Sequence, residues 1–243
     1  MGPEQSVRNN RQNMPVGVVM AEIGPLPGGP YDIEFFFDTG CPYAWMTSRW
    51  VHQVIEAKGI DVGWRFVSLR MINEDSDVPE SYTAASMHGL RFHRICAAAR
   101  ERFGNDAVGR LYTENGLRYW EMSLDKAAGQ TRADVRASMD VAAIIAAAGL
   151  PADLLESADD ESFDSVIRAE TEGAFERTGP DVGTPIITYV ESGNSLFGPV
   201  ISSLPDVDTA VRFYDALRVM VDFRDFSELK RSSRAPLDLP LLA

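Results

Sequence analysis

The stretch Phe35-Phe36-Phe37-Asp38-Thr39-Gly40-Cys41-Pro42-Tyr43-Ala44-Trp45 constrains the fold more than any other: an apolar run, a turn, then a cysteine followed at once by proline. Tyr31 to Phe37 is rich in aromatic and β-branched residues and too short for a stable isolated helix, so it predicts a buried strand. Asp38, Thr39 and Gly40 break it. Pro42 suits the first turn of a helix, where its missing N–H has no partner to lose and its φ is already helical. From Tyr43 to Lys58 the apolar residues Ala44, Met46, Trp50, Val51, Val54 and Ile55 form one stripe, which Gly59 closes. Cys41 then falls at the helix N-cap. Unpaired N–H groups and the positive end of the macrodipole there favour a thiolate over a thiol. The competing reading is a small buried hydrophobe, which is what most free cysteines are.

Further along, Asp61 to Leu69 alternates apolar and polar residues and predicts a second strand, parallel to the first across the helix. From Asn73 to about Gly179 the signal is helical. Pro79 opens a segment carrying Leu90, Phe92, Ile95, Ala99 and Phe103, and Asp106 to Met122 follows with Val108, Leu111, Tyr112 and Trp120. Thr131-Arg132-Ala133-Asp134 has the form of a capping box ahead of Val135 to Ala148. Helical stretches near Ala152 to Ala158 and Phe163 to Arg177 complete the block. Alternation returns in Thr184 to Val190 and Ser195 to Val200, joined by the hairpin chemistry of Glu191-Ser192-Gly193-Asn194. An amphipathic helix from about Asp206 to Val221 comes last, before a tail that is polar and then punctuated by proline.

With 243 residues the chain can bury a large core. A net charge of −13 argues against nucleic acid or an anionic membrane as partner. Two cysteines do not make a disulfide scaffold, so a reducing cytoplasm is expected. No run reaches membrane-spanning length, and Val16 to Met20 is too short for a secretory apolar region. His52, His88, His93 and the two cysteines lack metal-ligand spacing, so no metal is expected.

The order βαβ, helices, β-hairpin, helix is that of an α/β thioredoxin fold with an inserted all-helical domain, and the residues that carry it resemble a known family. Cys41-Pro42-Tyr43-Ala44 stands where the DsbA-like superfamily places Cys-Pro-x-Cys, and Gly183-Thr184-Pro185 matches its cis-proline loop. The resemblance is nearest to the actinobacterial branch of mycothiol-dependent nitroreductases, through Trp45-Met46-Thr47-Ser48-Arg49-Trp50, Ser68 to Glu74, Asp181 to Pro185, Phe197-Gly198-Pro199-Val200 and Phe226 to Arg231. It divides the chain into a flexible N-terminal extension (1–29), a first thioredoxin half (30–72), the helical insert (73–179), a second half (180–231) and a tail (232–243).

The resemblance implies a thiol-disulfide oxidoreductase with Cys41 as nucleophile, and Gly40, Pro42, Tyr43 and Ala44 as the motif that steadies its thiolate. It also implies Thr184, Pro185 and Trp45 as thiol- or substrate-binding residues. Mycothiol or another low-molecular-weight thiol would be co-substrate, the other partner would be a disulfide or an electrophilic small molecule, and members of this superfamily often dimerise. One departure lies at the chemistry: relatives carry a second cysteine where this chain has Ala44. A dithiol enzyme resolves its mixed disulfide with that cysteine, and Ala44 cannot. A small thiol would have to supply the second sulfur, since Cys96 reads as a core residue. Tyr43, Trp45 and Trp64 are candidate walls of an aromatic pocket. A second reading resembles kappa-class glutathione transferases and 2-hydroxychromene-2-carboxylate isomerases, where a serine holds the first motif position and Cys41 would serve only as a hydrogen-bonding group. A third is a binding protein that keeps the fold without turnover.

Overall fold

A computed structural model describes residues 23–242. Four strands form one sheet in the order β2-β1-β3-β4, where β1 is Ile33–Phe37, β2 Val62–Phe66, β3 Ile186–Tyr189 and β4 Asn194–Phe197. β1 pairs with β2 in parallel and with β3 antiparallel, and β3 and β4 form the hairpin. The apolar run of Phe35, Phe36 and Phe37 thus becomes a central strand, buried on both faces. Helix α1 (Pro42–Lys58) is the crossover from β1 to β2. Beside it packs α8 (Val207–Asp222), with Trp50 Nε1 donating to Ala210 O at 3.1 Å. The order β1-α1-β2 … β3-β4-α8 is that of a thioredoxin fold, and the helices between β2 and β3 are its insertion.

Those helices are α2 (Leu69–Ile72), α3 (Glu80–Phe103), α4 (Asn105–Tyr119), α5 (Arg132–Ala137), α6 (Val141–Ala147) and α7 (Asp164–Thr178). Two glycines on one face of α4 let it lie flush on the aromatic core: a β-carbon at Gly109 would overlap Trp64, and one at Gly116 would overlap Trp45. The Thr131 and Asp134 capping box forms as expected at the start of α5.

Three local features go beyond the sequence reading. The alternating stretch forms strand β2 as expected, and all five of its residues are buried, because the insert covers the face that Arg65 occupies. Arg65 is accommodated by pairing with Glu34 at 2.6 Å and Glu170 at 3.1 Å. The edge of β2 is closed by side chains: Asn105 bonds both Trp64 N (2.7 Å) and Trp64 O (2.9 Å), and Glu170 accepts from Phe66 N at 2.8 Å. The segment Ala152–Asp159 is helical as expected, in the tighter 3-10 form. Finally, the first and last described stretches, from Ile23 and up to Leu242, join the core. Leu26 is buried and Ile23 packs on Gly173, within the stretch expected to be a flexible extension; the rest of that stretch, 1–22, lies outside the described residues. At the other end Leu239 and Leu241 are buried. Among the described residues no helix is long and apolar enough to cross a membrane.

Candidate active site at the start of helix α1

Where β1 ends, Asp38 turns the chain. Its carboxylate accepts from Gly40 N at 2.6 Å and from Leu69 N at 2.7 Å, tying the cysteine loop to the start of α2. Cys41 N then donates to Asp38 O at 3.1 Å, and Cys41 caps α1 in extended backbone with Pro42 in the first turn behind it. The Cys41 sulfur accepts from Ala44 N at 3.4 Å and, as a thiol, donates to Thr184 O at 3.4 Å. The Thr184-Pro185 bond is cis, and Pro185 O accepts from Gly198 N at 2.8 Å. Thr47 on α1 donates to Pro199 O at 2.7 Å. Residues 143 positions apart thus meet at one sulfur.

The electrostatics correct the expectation of a thiolate-favouring site. Burial pushes the Cys41 thiol above its ordinary value; the N–H of Ala44 and the bond to Thr184 pull against that, and the Asp38 charge adds to the rise. The helix start was visible in the sequence, but the depth of the sulfur and the neighbouring carboxylate were not. Asp38 is itself raised to about 6 by burial, with the Leu69 and Gly40 N–H groups opposing. Its carboxyl holds a proton more tightly in the folded protein than in the unfolded chain. It therefore withdraws stability as pH rises from about 3.8 to about 6, on the order of 3 kcal/mol in all. Replacing Asp38 by Asn removes an anion that opposes the Cys41 thiolate. The expected result is alkylation of Cys41 by iodoacetamide at pH 7 faster by roughly threefold to tenfold; slower alkylation would instead make Asp38 a base for the thiol.

Of the sequence-predicted residues, Gly40, Cys41, Pro42, Tyr43, Ala44, Thr184 and Pro185 converge here. Trp45 does not serve as expected. It is fully buried, donates to Glu121 at 2.8 Å, carries the Arg49 guanidinium 3.9 Å over its ring and packs on Gly116, so it holds α1 to α4 and cannot line a pocket. Trp64 is buried likewise, which leaves Tyr43, partly exposed, as the one aromatic of the three at the opening. Cys96 is fully buried on α3 and burial pushes its thiol far up, so it offers no accessible second sulfur. The histidines are packing residues: burial lowers His93 to about 3, and His52 and His88 to about 4. Among the described residues no cluster has the ligands for a metal ion.

Sequence reasoning missed three residues. Asp38 is the one charge inside an otherwise apolar and small-residue run, a signal that could have been used. Tyr112, stacked on Phe37 at 3.9 Å and electrostatically coupled to Cys41, and Arg234, whose guanidinium lies 5.2 Å over the Tyr43 ring, left no local signal.

The chain thus has a thioredoxin topology with a cysteine capping α1. A family model described as Rv2466c-like, mycothiol-dependent nitroreductase Rv2466c, matches residues 40–231, and the chain belongs to that family. It is also similar to the uncharacterized protein Rv2286c of Mycobacterium tuberculosis (strain ATCC 25618 / H37Rv), with 27% identity over 212 residues, covering 87% of this chain and 86% of that protein. Solved structures with a related outline include SrgA of Salmonella enterica serovar Typhimurium (19% identity, TM-score 0.42, covering 80% of this chain and 94% of that one). Another is the disulfide oxidoreductase DsbA of Proteus mirabilis (14% identity, TM-score 0.43, covering 82% of this chain and 92% of that one). The protein is thus an oxidoreductase of the mycothiol-dependent nitroreductase family.

Proposed function

We propose that the protein is a monothiol oxidoreductase in which Cys41 forms a mixed disulfide with its substrate and mycothiol resolves it. The observation that carries this reading is the single accessible thiol, capping α1 beside Thr184 O, with Ala44 at the position that would have to supply a second. Loss of the thiol proton releases Thr184 O. The thiolate attacks one sulfur of a disulfide, the S–S bond breaks, and the departing thiolate takes up a proton. A mycothiol thiolate then attacks the substrate-side sulfur of the mixed disulfide, the bond to Cys41 breaks, and the products are a mycothiol–substrate disulfide and the free Cys41 thiolate. With a quinonoid or nitroaromatic substrate, two thiols would likewise supply the two electrons of each reduction step and end as a disulfide.

Thr184 is the residue best suited to hold the thiol. Its hydroxyl is buried and has no partner among the described residues, and its carbonyl is engaged only by Cys41 itself. Both can serve a ligand laid along the loop before Pro185, in the manner of a strand added to an edge. Tyr43 supplies an apolar face at the opening. Turnover of this kind belongs in a compartment that keeps the small thiol reduced, consistent with a cytoplasm.

One observation favours a second reading. In the resting site Cys41 is a hydrogen-bond donor with a raised pKa, which also suits a transferase- or isomerase-like role in which it only orients a bound thiol. The two part at covalency. On incubation with oxidised mycothiol, intact-protein mass is expected to show one mycothiol adduct, mapped to Cys41. An unmodified protein that still binds reduced mycothiol would give the second reading.

A further inference from the structure

We infer that the C-terminal segment is a strap that brings Arg234 to the mouth of the Cys41 site, where its guanidinium favours substrates carrying an anionic group such as a carboxylate beside the reacting atom. The inference rests on Cys41 being the reacting group, as proposed above.

The strap is held at several points. Ser202 donates to Ala235 O at 3.0 Å, and Asp238 N donates to Ser202 O at 2.8 Å. Beyond them Leu239 and Leu241 are buried, and Leu241 N donates to Trp120 O at 3.3 Å. Trp120 in turn donates through its indole N–H to Thr39 O at 3.3 Å, two residues before the nucleophile. Arg234 is adjacent to the first of these anchors. Its side chain reaches across to Tyr43, two residues after Cys41, with the guanidinium 5.2 Å from the ring centre.

Arg234 is exposed, and among the described residues no carboxylate lies within ion-pair distance of it. A cation with no neutralising partner among the described residues, on a protein of net charge −13, makes the mouth of this site a local exception to a surface that repels anions. The segment also falls outside residues 40–231, the span that the family model matches. The ring of Tyr43 fixes the guanidinium by a cation–π contact and leaves its N–H groups free for a planar anion.

Two reagents of nearly equal size, iodoacetate and iodoacetamide, test this. In both the Cys41 thiolate forms an S–C bond and iodide leaves, so the intrinsic reactivity of the sulfur cancels in the ratio of the two rates. For a partly screened charge about a Debye length away, Arg234→Gln is expected to lower the iodoacetate-to-iodoacetamide ratio roughly twofold to fivefold. Arg234→Lys should keep the ratio, Arg224→Gln should leave it unchanged, and raising the salt to 0.5 M should erase the difference between wild type and Arg234→Gln. An unchanged ratio in Arg234→Gln, with both reagents still labelling Cys41, would overturn the inference alone. Failure of both reagents to label Cys41 in the folded wild-type protein would instead overturn the reading on which it rests, and the inference with it.

Discussion

Cys41→Ser is expected to abolish thiol-disulfide turnover, with kcat/KM falling by about 10³ or more, whereas Cys96→Ser retains activity within about twofold. A serine hydroxyl at the N-cap can accept the Ala44 N–H and donate to Thr184 O much as the thiol does, so the loop and α1 keep their geometry. What is lost is the one cysteine of the two that is not fully buried. With Ala44 beside it, no other side chain in the motif can attack a disulfide. Cys96 lies wholly inside α3's packing face and its replacement by a residue of similar size touches no reacting atom. Steady-state reduction of a small disulfide with mycothiol as reductant reads both variants. A Cys96→Ser protein that folds normally but loses turnover would mean that the buried thiol takes part in resolution.

Glu170→Ala should be the most destabilising single change outside the site, by about 3 to 5 kcal/mol. One carboxylate oxygen of Glu170 accepts from Arg65 at 3.1 Å and from Arg100 at 2.9 Å, and the other accepts from Phe66 N on the edge of β2. All three side chains are buried. Removing the carboxylate leaves Arg100 without its ion-pair partner, Arg65 with Glu34 alone and a strand N–H unpaired, and the alanine cannot refill the space. At about 2 to 4 °C per kcal/mol for a chain of this size, Tm falls by roughly 10 °C. Glu170→Gln keeps the shape and part of the bonding, and so loses less. Urea and thermal unfolding measure both; a loss below about 1 kcal/mol for Glu170→Ala would show that the cluster is not what fastens α7 to the sheet.

Some of this architecture is legible in the sequence because it is decided locally. The apolar run, turn and proline around Cys41 fix the end of β1 and the start of α1 within a few bonds. The same holds for the α5 capping box and the Gly193-Asn194 turn. Other features depend on what the chain folds against. Alternation marked β2 as a strand, but the burial of Arg65 depends on α7, whose Glu170 pairs with it at 3.1 Å from the far side of the chain. Trp45 carries an aromatic ring four residues from the nucleophile whether it lines a pocket or anchors a helix; the glycine that decides the matter, Gly116, lies 71 positions away in the chain. The cysteine's position was evident for the same local reasons, and its raised pKa was not, since depth and the Asp38 charge belong to the assembled site. Nothing in the composition of 232–243 marked it as a strap rather than a loose tail; its few leucines matter only because the core has a place for them.

The most direct measurement of monothiol turnover at Cys41 is a chase of the isolated mixed disulfide. Protein carrying one mycothiol on Cys41 is freed of excess reagent and followed by intact mass, first alone and then after addition of fresh mycothiol. Persistence of the adduct until the thiol is added, followed by release at a rate that matches kcat at the same thiol concentration, is the expected result. Release without added thiol, with formation of an internal disulfide to Cys96, would contradict it.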